Sequence, residues 1–170
     1  MNESSIIELV MYQIGQLFLL PVLLLVAAMF AYALYALGGF VVQMLQRRRR
    51  TPGQFGGLPL LAYVQARPAA TLDELDLHAH KLLEPARLAS RIAPMLGLVG
   101  TMIPMGPALK SLSDGNLAQV SGNLTVAFSV VILALIAASI TYWISNVRRR
   151  WLAEELLEIQ NVRQVSGTAA

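Results

Sequence analysis

Three long stretches of this sequence contain no charged residue, and they restrict what the chain can fold into. They lie between Glu8 and Arg47, Arg91 and Lys110, and Asp114 and Arg148, and they hold 38, 18 and 33 residues. Crossing a bilayer takes roughly 20 predominantly apolar residues in an α-helix. Only 14% of the residues are charged, whereas a soluble domain carries about 25%. The sequence therefore predicts an all-α integral membrane protein.

The first stretch predicts a transmembrane helix over residues 17–45. Its apolar sequence is broken only by Pro21 and Gln43, and four consecutive arginines follow at 47–50. A cleaved signal peptide carries its positive charge before a short apolar core. Here acidic residues precede the apolar run and the basic cluster follows it, so we expect the helix to be retained.

The other two stretches predict transmembrane helices at 92–111 and 122–146. The second span is rich in proline and glycine, which a membrane helix tolerates where neighbouring helices satisfy the freed backbone groups. We therefore expect it inside a helix bundle. The 33 uncharged residues of the third stretch would reach about 50 Å, against a hydrocarbon core of about 30 Å. Residues 116–121 are therefore predicted to lie outside the membrane or in a polar interior, and an extracytoplasmic loop is predicted at 112–121.

The basic residues predict the orientation. Twelve of the thirteen lysines and arginines lie in the segment 46–91 or in the tail 147–170, and only Lys110 lies on the other side. Because lysine and arginine accumulate in cytoplasmic loops, these two segments are predicted to be cytoplasmic. The amino end, residues 1–16, is predicted to lie outside.

The sequence of the cytoplasmic loop, residues 46–91, predicts a connector followed by a helix. Residues 51–57, TPGQFGG, are typical of a flexible connector. Thr71 and Glu74 have the spacing of a capping box, and apolar residues follow at three-and-four spacing. We expect Pro85 to kink this amphipathic helix. The tail residues 151–162 are expected to continue the third helix into the cytoplasm.

Residues 17–45, 92–109 and 122–146 of the predicted spans contain no Asp, Glu, Lys, Arg or His, and Lys110 lies at the outer end of the second span. An ionisable group at mid-membrane costs about 2.5–3.5 kcal/mol or more, and it occurs where protons or ions are handled. This chain by itself therefore lacks a protonatable carrier. Its polar side chains in the spans include Thr101, Thr125, Ser129, Ser139 and Thr141. Such hydroxyls commonly bond the carbonyl four residues earlier.

The sequence offers no site for a soluble-type enzyme, a cofactor or a metal ion. The chain has no cysteine, which excludes disulfides, thiolate chemistry and iron–sulfur clusters. His78 and His80 are two residues apart, so they lie on different faces of a helix. The arginine clusters at 47–50 and 148–150 are expected to set topology and touch anionic headgroups, not nucleic acid.

Residues 93–102, Ala-Pro-Met-Leu-Gly-Leu-Val-Gly-Thr-Met, resemble the Pro-x-Leu-Gly-Leu-x-Gly-Thr-Val signature of the MotA/TolQ/ExbB proton channel family. The resemblance covers roughly residues 70–155, and the three-span topology matches the ExbB/TolQ branch. It implies a ring-forming homo-oligomer, pentameric in this family, in the inner membrane of a bacterium or archaeon. It also implies a single-span ExbD/TolR-like partner whose membrane Asp carries protons.

The resemblance also assigns candidate residues. Thr101 corresponds to the family's pore threonine, and the motif residues expected to serve packing are Pro94, Gly97, Gly100 and Pro104. Aligning Gly122 with the glycine that opens the third-span pattern places Thr125 where ExbB has a membrane Glu. Val130 then replaces the second pore threonine of ExbB, and Ser129 lies one position earlier. Thr101, Thr125 and Ser129 are the predicted pore-lining residues.

Three functions remain open at this point. A proton-driven motor subunit accounts for the motif and for the missing membrane acid. A non-conducting scaffold that recruits a cytoplasmic partner accounts for the scarcity of hydroxyls in the third span. A permease subunit for a small solute accounts for the proline-broken second span. The surroundings of Thr101 favour pore lining and plain helix packing equally, because small residues let helices approach closely.

Overall fold

The computed structural model describes residues 3–48, 58–67 and 70–168. These residues form four α-helices and no strand: α1 (Glu3–Arg48), α2 (Pro59–Ala66), α3 (Leu72–Ser113) and α4 (Leu117–Thr168). Three helices are long and apolar enough to cross a membrane by length and composition, over Tyr12–Arg48, Leu72–Ser113 and Leu117–Val162. The predicted all-α, multi-pass membrane fold is confirmed.

The long helices extend beyond the predicted spans. α3 contains both the amphipathic helix and the second span, and it continues through Pro85 as a single element. The two segments that the sequence separated therefore belong to one helix. α4 continues past Arg150 to Thr168, so the helical tail is confirmed. The predicted connector at 51–57 lies outside the described residues, and the membrane depth of every span stays a prediction.

The beginning of α3 is the capping box expected from Thr71 and Glu74. The backbone N–H of Glu74 donates to Thr71 Oγ1, and the backbone N–H of Thr71 donates to the Glu74 carboxylate, both at 3.3 Å. These bonds satisfy two backbone donors at the helix start that have no partner within the helix.

Residues 114–116 connect α3 to α4. Gly115 has a φ of 72°, a left-handed conformation that glycine adopts without a Cβ clash. Asn116 caps α4, because its Oδ1 accepts the backbone N–H of Gln119 at 3.2 Å. Most of the segment predicted as an extracytoplasmic loop is therefore helical, since α3 ends at Ser113 and α4 begins at Leu117.

The chain divides into two compact units. The described part of the first unit spans residues 3–34 and 89–139. Its apolar core combines residues of α1, α3 and α4. The buried members are Val22, Val26, Val130 and Ala134, and Leu96 and Ile103 pack against them.

The second unit contains residues 35–48, 58–67, 70–88 and 140–168 of the described chain. Its core joins α2, the beginning of α3 and the end of α4 through Leu60, Leu75, Ala79, Leu83, Leu152 and Ile159. Glu155 is 1% exposed in this unit. It forms an ion pair with Arg47, so this arginine has a partner inside the protein, and its predicted contact with headgroups stays a prediction.

Candidate functional site

Two glycines of the 93–102 motif lie where α3 meets α4. A Cβ added to Gly97 would lie 2.8 Å from the Cβ of Ala134. A Cβ added to Gly100 would overlap Val130 and lie 3.5 Å from Val22 Cγ1 on α1. Glycine at both positions therefore lets the helix backbones approach closely, as small residues do in membrane helix pairs.

The motif prolines lie on or beside the same face of α3. Gly97, Gly100 and Pro104 are three or four residues apart and are all buried, whereas Pro94 is half-buried. Residues at this spacing share one helix face. The motif therefore provides the packing face of α3, while the transport roles suggested by the resemblance stay predictions.

Thr101 lies at the edge of this packing face. The residue is half-buried, and its hydroxyl donates to the carbonyl of Leu98 in its own helix at 2.7 Å. A hydroxyl oxygen that donates its hydrogen still has lone pairs available as acceptors. Thr101 therefore presents an acceptor without presenting a charge.

Four hydroxyl residues form a row along α4: Ser121, Thr125, Ser129 and Ser139. At about 100° per residue they lie within roughly 80° of one another, and all four are exposed. The hydroxyl of Thr125 donates to the Ser121 carbonyl, and the hydroxyl of Ser129 donates to the Thr125 carbonyl, both at 2.8 Å. Thr125 and Ser129 are therefore consecutive members of one row, which extends about 12 Å from Ser121 to Ser129.

The hydroxyl row lies on the face of α4 opposite to the one that packs inside the chain. The buried residues of this helix in the first unit include Ala127, Val130, Ala134 and Ala137. By helical periodicity they are centred about 180° from the row. One face of α4 therefore packs against other helices of the same chain, and the face that carries the hydroxyl row does not.

Among the three candidate pore residues, Thr101 is not joined to Thr125 or Ser129 by a hydrogen bond in the described part of the chain. Each hydroxyl bonds a carbonyl of its own helix. The described residues also contain no group of three potential metal ligands. Acceptor groups are present, and residues 17–45, 92–109 and 122–146 contain no Asp, Glu, Lys, Arg or His.

Asn123 is a polar residue of the third span that the sequence reasoning did not single out. Its side-chain Nδ2 is buried and has no hydrogen-bond partner in the described part of the chain. Leaving such a donor unpaired costs about 1–3 kcal/mol. An amide near the beginning of the predicted third span was the available sequence signal.

Comparison with known proteins places more than half of the chain in a described family. The profile of the MotA/TolQ/ExbB proton channel family matches residues 69–161, more than half of the 170-residue chain. Searches of curated proteins and of solved structures found no match. The matched range contains the glycine motif, the hydroxyl row and most of α3 and α4.

Proposed function

Because the chain belongs to the MotA/TolQ/ExbB proton channel family, we propose that it is the multi-span subunit of a proton-driven motor in the inner membrane. It couples ion-motive force to mechanical work together with a single-span, ExbD/TolR-like partner. Family membership supports a role of the proton-channel or motor type. The partner, the coupling and the orientation with the amino end outside are our proposal.

One observation carries the proposal: the membrane-spanning part of α4 presents hydroxyls without an ionisable group on a face that the chain leaves uncovered. Moving protons through a membrane needs a group that binds and releases them. Since residues 17–45, 92–109 and 122–146 contain no Asp, Glu, Lys, Arg or His, the carrier comes from a second molecule. A membrane Asp of the partner, placed against Thr125 and Ser129, supplies it.

The hydroxyl row favours the neutral form of that acid. Thr125 and Ser129 donate their hydrogens to their own helix, so they meet the partner mainly as acceptors. A protonated carboxyl has an O–H to donate, whereas a carboxylate only accepts. Exclusion of water raises the pKa of the acid further. The acid therefore keeps its proton beside the row and releases it where water or a donor is available.

Proton flow provides enough energy for movement. One charge that crosses about 100 mV releases about 2.3 kcal/mol. Two packings of a bistable assembly differ by only a few kcal/mol. A few protons can therefore drive a step of the ring of these subunits relative to its central partner.

The proposed assembly is a homo-oligomeric ring, pentameric as in the family that the sequence resembles. A ring surrounds the partner with equivalent copies of α4, because closed symmetry repeats the same contacts. Each copy then contributes Thr101, Thr125 and Ser129, whose hydroxyls each bond a carbonyl of their own helix. This accounts for pore residues that lie on separate helices.

The decisive experiment measures proton flux into vesicles. Purified chain is reconstituted alone, with its single-span partner, and with a partner whose membrane Asp is replaced by Asn. We expect partner-dependent flux that the Asp→Asn partner abolishes, and very little flux from the chain alone. Strong conductance without the partner, or none with it, would contradict the proposal, and so would a monomeric chain.

A non-conducting scaffold is the second candidate. The observation that favours it is that Thr101, Thr125 and Ser129 all satisfy their donors within their own helices, which is also what purely structural hydroxyls do. An uncoupler separates the two functions. The cellular process that requires this chain is measured with and without the uncoupler. Loss of that process when the proton gradient collapses supports the motor, and an unchanged process supports the scaffold.

A further inference from the structure

A half-open cavity of about 230 Å³ lies in the second unit, the one formed by residues 35–88 and 140–170. Its walls include Gln43, Leu82, Leu83, Arg148, Trp151 and Glu155. Most of this surface is apolar, and the polar groups come from α1 and α4. None of these residues belongs to the candidate proton pathway.

Arg148 is the unusual member of this wall. Its Nε is buried and has no hydrogen-bond partner in the described ranges. Its guanidinium lies against α1, with Nη2 3.9 Å from the position that a Cβ on Gly39 would occupy. An unpaired buried donor of a charged group is costly. This arginine therefore provides a site for an acceptor that the chain itself does not contribute.

The other charges of the cavity are already paired. Glu155 accepts hydrogen bonds from Arg47 and from the backbone N–H of Leu60, and the Arg47 guanidinium lies 4.6 Å from the centre of the Trp151 ring. The charge of Glu155 is therefore compensated. Arg148 leaves the cavity with a positive charge, which is complementary to an anion.

The position of Arg148 indicates what kind of anion reaches it. Arg148 is the first charged residue after the 33 uncharged residues that contain the third span. Arg148 and Glu155 are seven residues apart, about 10 Å along α4. The headgroup region on each side of a bilayer is about 5–8 Å thick. The predicted end of the third span, at 146, therefore puts the Arg148 end of the cavity at the depth of the headgroups, and the Glu155 end lies farther from the membrane.

We propose that this cavity binds the headgroup of an anionic phospholipid, with its phosphate accepting hydrogen bonds from Arg148. The apolar walls formed by Leu82, Leu83 and Trp151 suit the glycerol and upper acyl carbons, which a free phosphate lacks. The volume is below the roughly 300–1,000 Å³ of pockets for drug-sized ligands. The site does not depend on proton coupling, so it stands or falls separately from the motor function.

Lipid retention by the purified full-length chain tests the proposal. The chain is incorporated into mixed micelles that contain phosphatidylglycerol or phosphatidylcholine with identical acyl chains, and native mass spectrometry counts the retained lipid. We expect a preference for phosphatidylglycerol that falls roughly tenfold in Arg148→Met, equivalent to about 1.4 kcal/mol. Arg149→Met is the matched control, because Arg149 is the exposed neighbour in the same basic run, and it should keep the preference.

Three results would overturn the proposal. Equal losses in the two variants would indicate a diffuse attraction of lipid to the arginine cluster. An absent preference in the wild-type chain would indicate that the cavity takes no anionic lipid. Displacement of the bound lipid by millimolar inorganic phosphate would indicate a site for a soluble anion.

A second measurement does not require Arg148→Met to fold. The chain has only two tryptophans, so Trp143→Phe leaves the cavity residue Trp151 as the sole tryptophan. Phosphatidylglycerol brominated on the upper acyl carbons should quench Trp151 more strongly than the equivalent brominated phosphatidylcholine at the same mole fraction. Equal quenching by the two lipids would contradict the site.

Discussion

The carboxylate of Glu155 accepts the backbone N–H of Leu60 at 3.0 Å, across 95 residues of sequence. Leu60 is the second residue of α2, whose first turn begins at Pro59. A carboxylate at the start of a helix satisfies an N–H group that has no partner within the helix. Glu155 therefore holds α2 against the end of α4, and its pairing with Arg47 connects α1 to the same point.

Replacing Glu155 by Ala should destabilise the second unit. The change leaves Leu60 N–H and the Arg47 guanidinium without their acceptor, and breaking a buried ion pair by removing one partner costs roughly 3 kcal/mol. Thermal unfolding in detergent measures the loss. Glu154→Ala is the control, because Glu154 is 61% exposed and 4.0 Å from Arg47, and it should cost under about 0.5 kcal/mol. Equal effects would contradict the role of Glu155.

Glu155 should also make stability depend on pH. It lies beyond the predicted third span, at 122–146, and burial raises its pKa above 4.5, although the Leu60 N–H and Arg47 lower it. The folded state therefore holds this proton more tightly than the unfolded chain. The stabilisation that comes from this tighter proton binding is complete below pH 4.5. It is lost as the pH rises through the raised pKa of Glu155.

Glu155→Gln isolates this contribution, because the amide does not titrate. We expect the melting temperature of the wild-type chain to rise relative to that of Glu155→Gln as the pH falls through the raised pKa. Scans at several pH values in one detergent give the difference. If the melting temperature of the wild-type chain instead falls relative to that of Glu155→Gln on acidification, the ion pair with Arg47 has a larger effect on the pKa of Glu155 than burial has.

Gly100→Ala should destabilise the first unit. The added Cβ overlaps Val130, whose β-branched side chain has little freedom to turn away. Overpacking of this kind costs about 1–3 kcal/mol. Gly38→Ala is the matched control, because nothing lies within 4 Å of its added Cβ, and alanine favours a helix by up to about 1 kcal/mol. A stable Gly100→Ala chain would show that α3 and α4 can separate without cost.

Thr101→Val should abolish proton-coupled activity and leave ring assembly intact. Valine keeps the shape of the side chain and removes the hydroxyl that donates to Leu98 O. Partner-dependent proton flux and native mass of the assembly are the two measurements. Thr101→Ser, which retains the hydroxyl, should remain active. Wild-type flux in Thr101→Val would reduce this residue to a packing role.

The sequence predicted the parts of the fold that depend on local patterns. The three apolar helices follow from stretches without charge, and the capping box follows from the spacing of Thr71 and Glu74. The sequence analysis treated the amphipathic helix and the second span at 92–111 as two elements with a kink at Pro85, whereas one helix, α3, contains both. It did not predict α2, because a helix of eight residues has little stability of its own and depends on burial of Leu60.

The candidate site was predictable only in part. Helical spacing places Thr125 and Ser129 on one face of α4, and the resemblance selects Thr101. The spacing of the hydroxyls does not predict which face of α4 packs against the other helices of the chain. The contacts of Gly97 and Gly100 with Ala134 and Val130 decide it.

The sequence by itself determined that this chain is a multi-pass helical membrane protein, because the length of an uncharged stretch is a local property that bilayer thickness selects. Only the tertiary structure decided how the charges are used. Arg47 has a buried partner in Glu155, whereas the Nε of Arg148 is buried without one. Both arginines occupy the same kind of position after an apolar run, and they differ because pairing depends on residues brought together from distant parts of the chain.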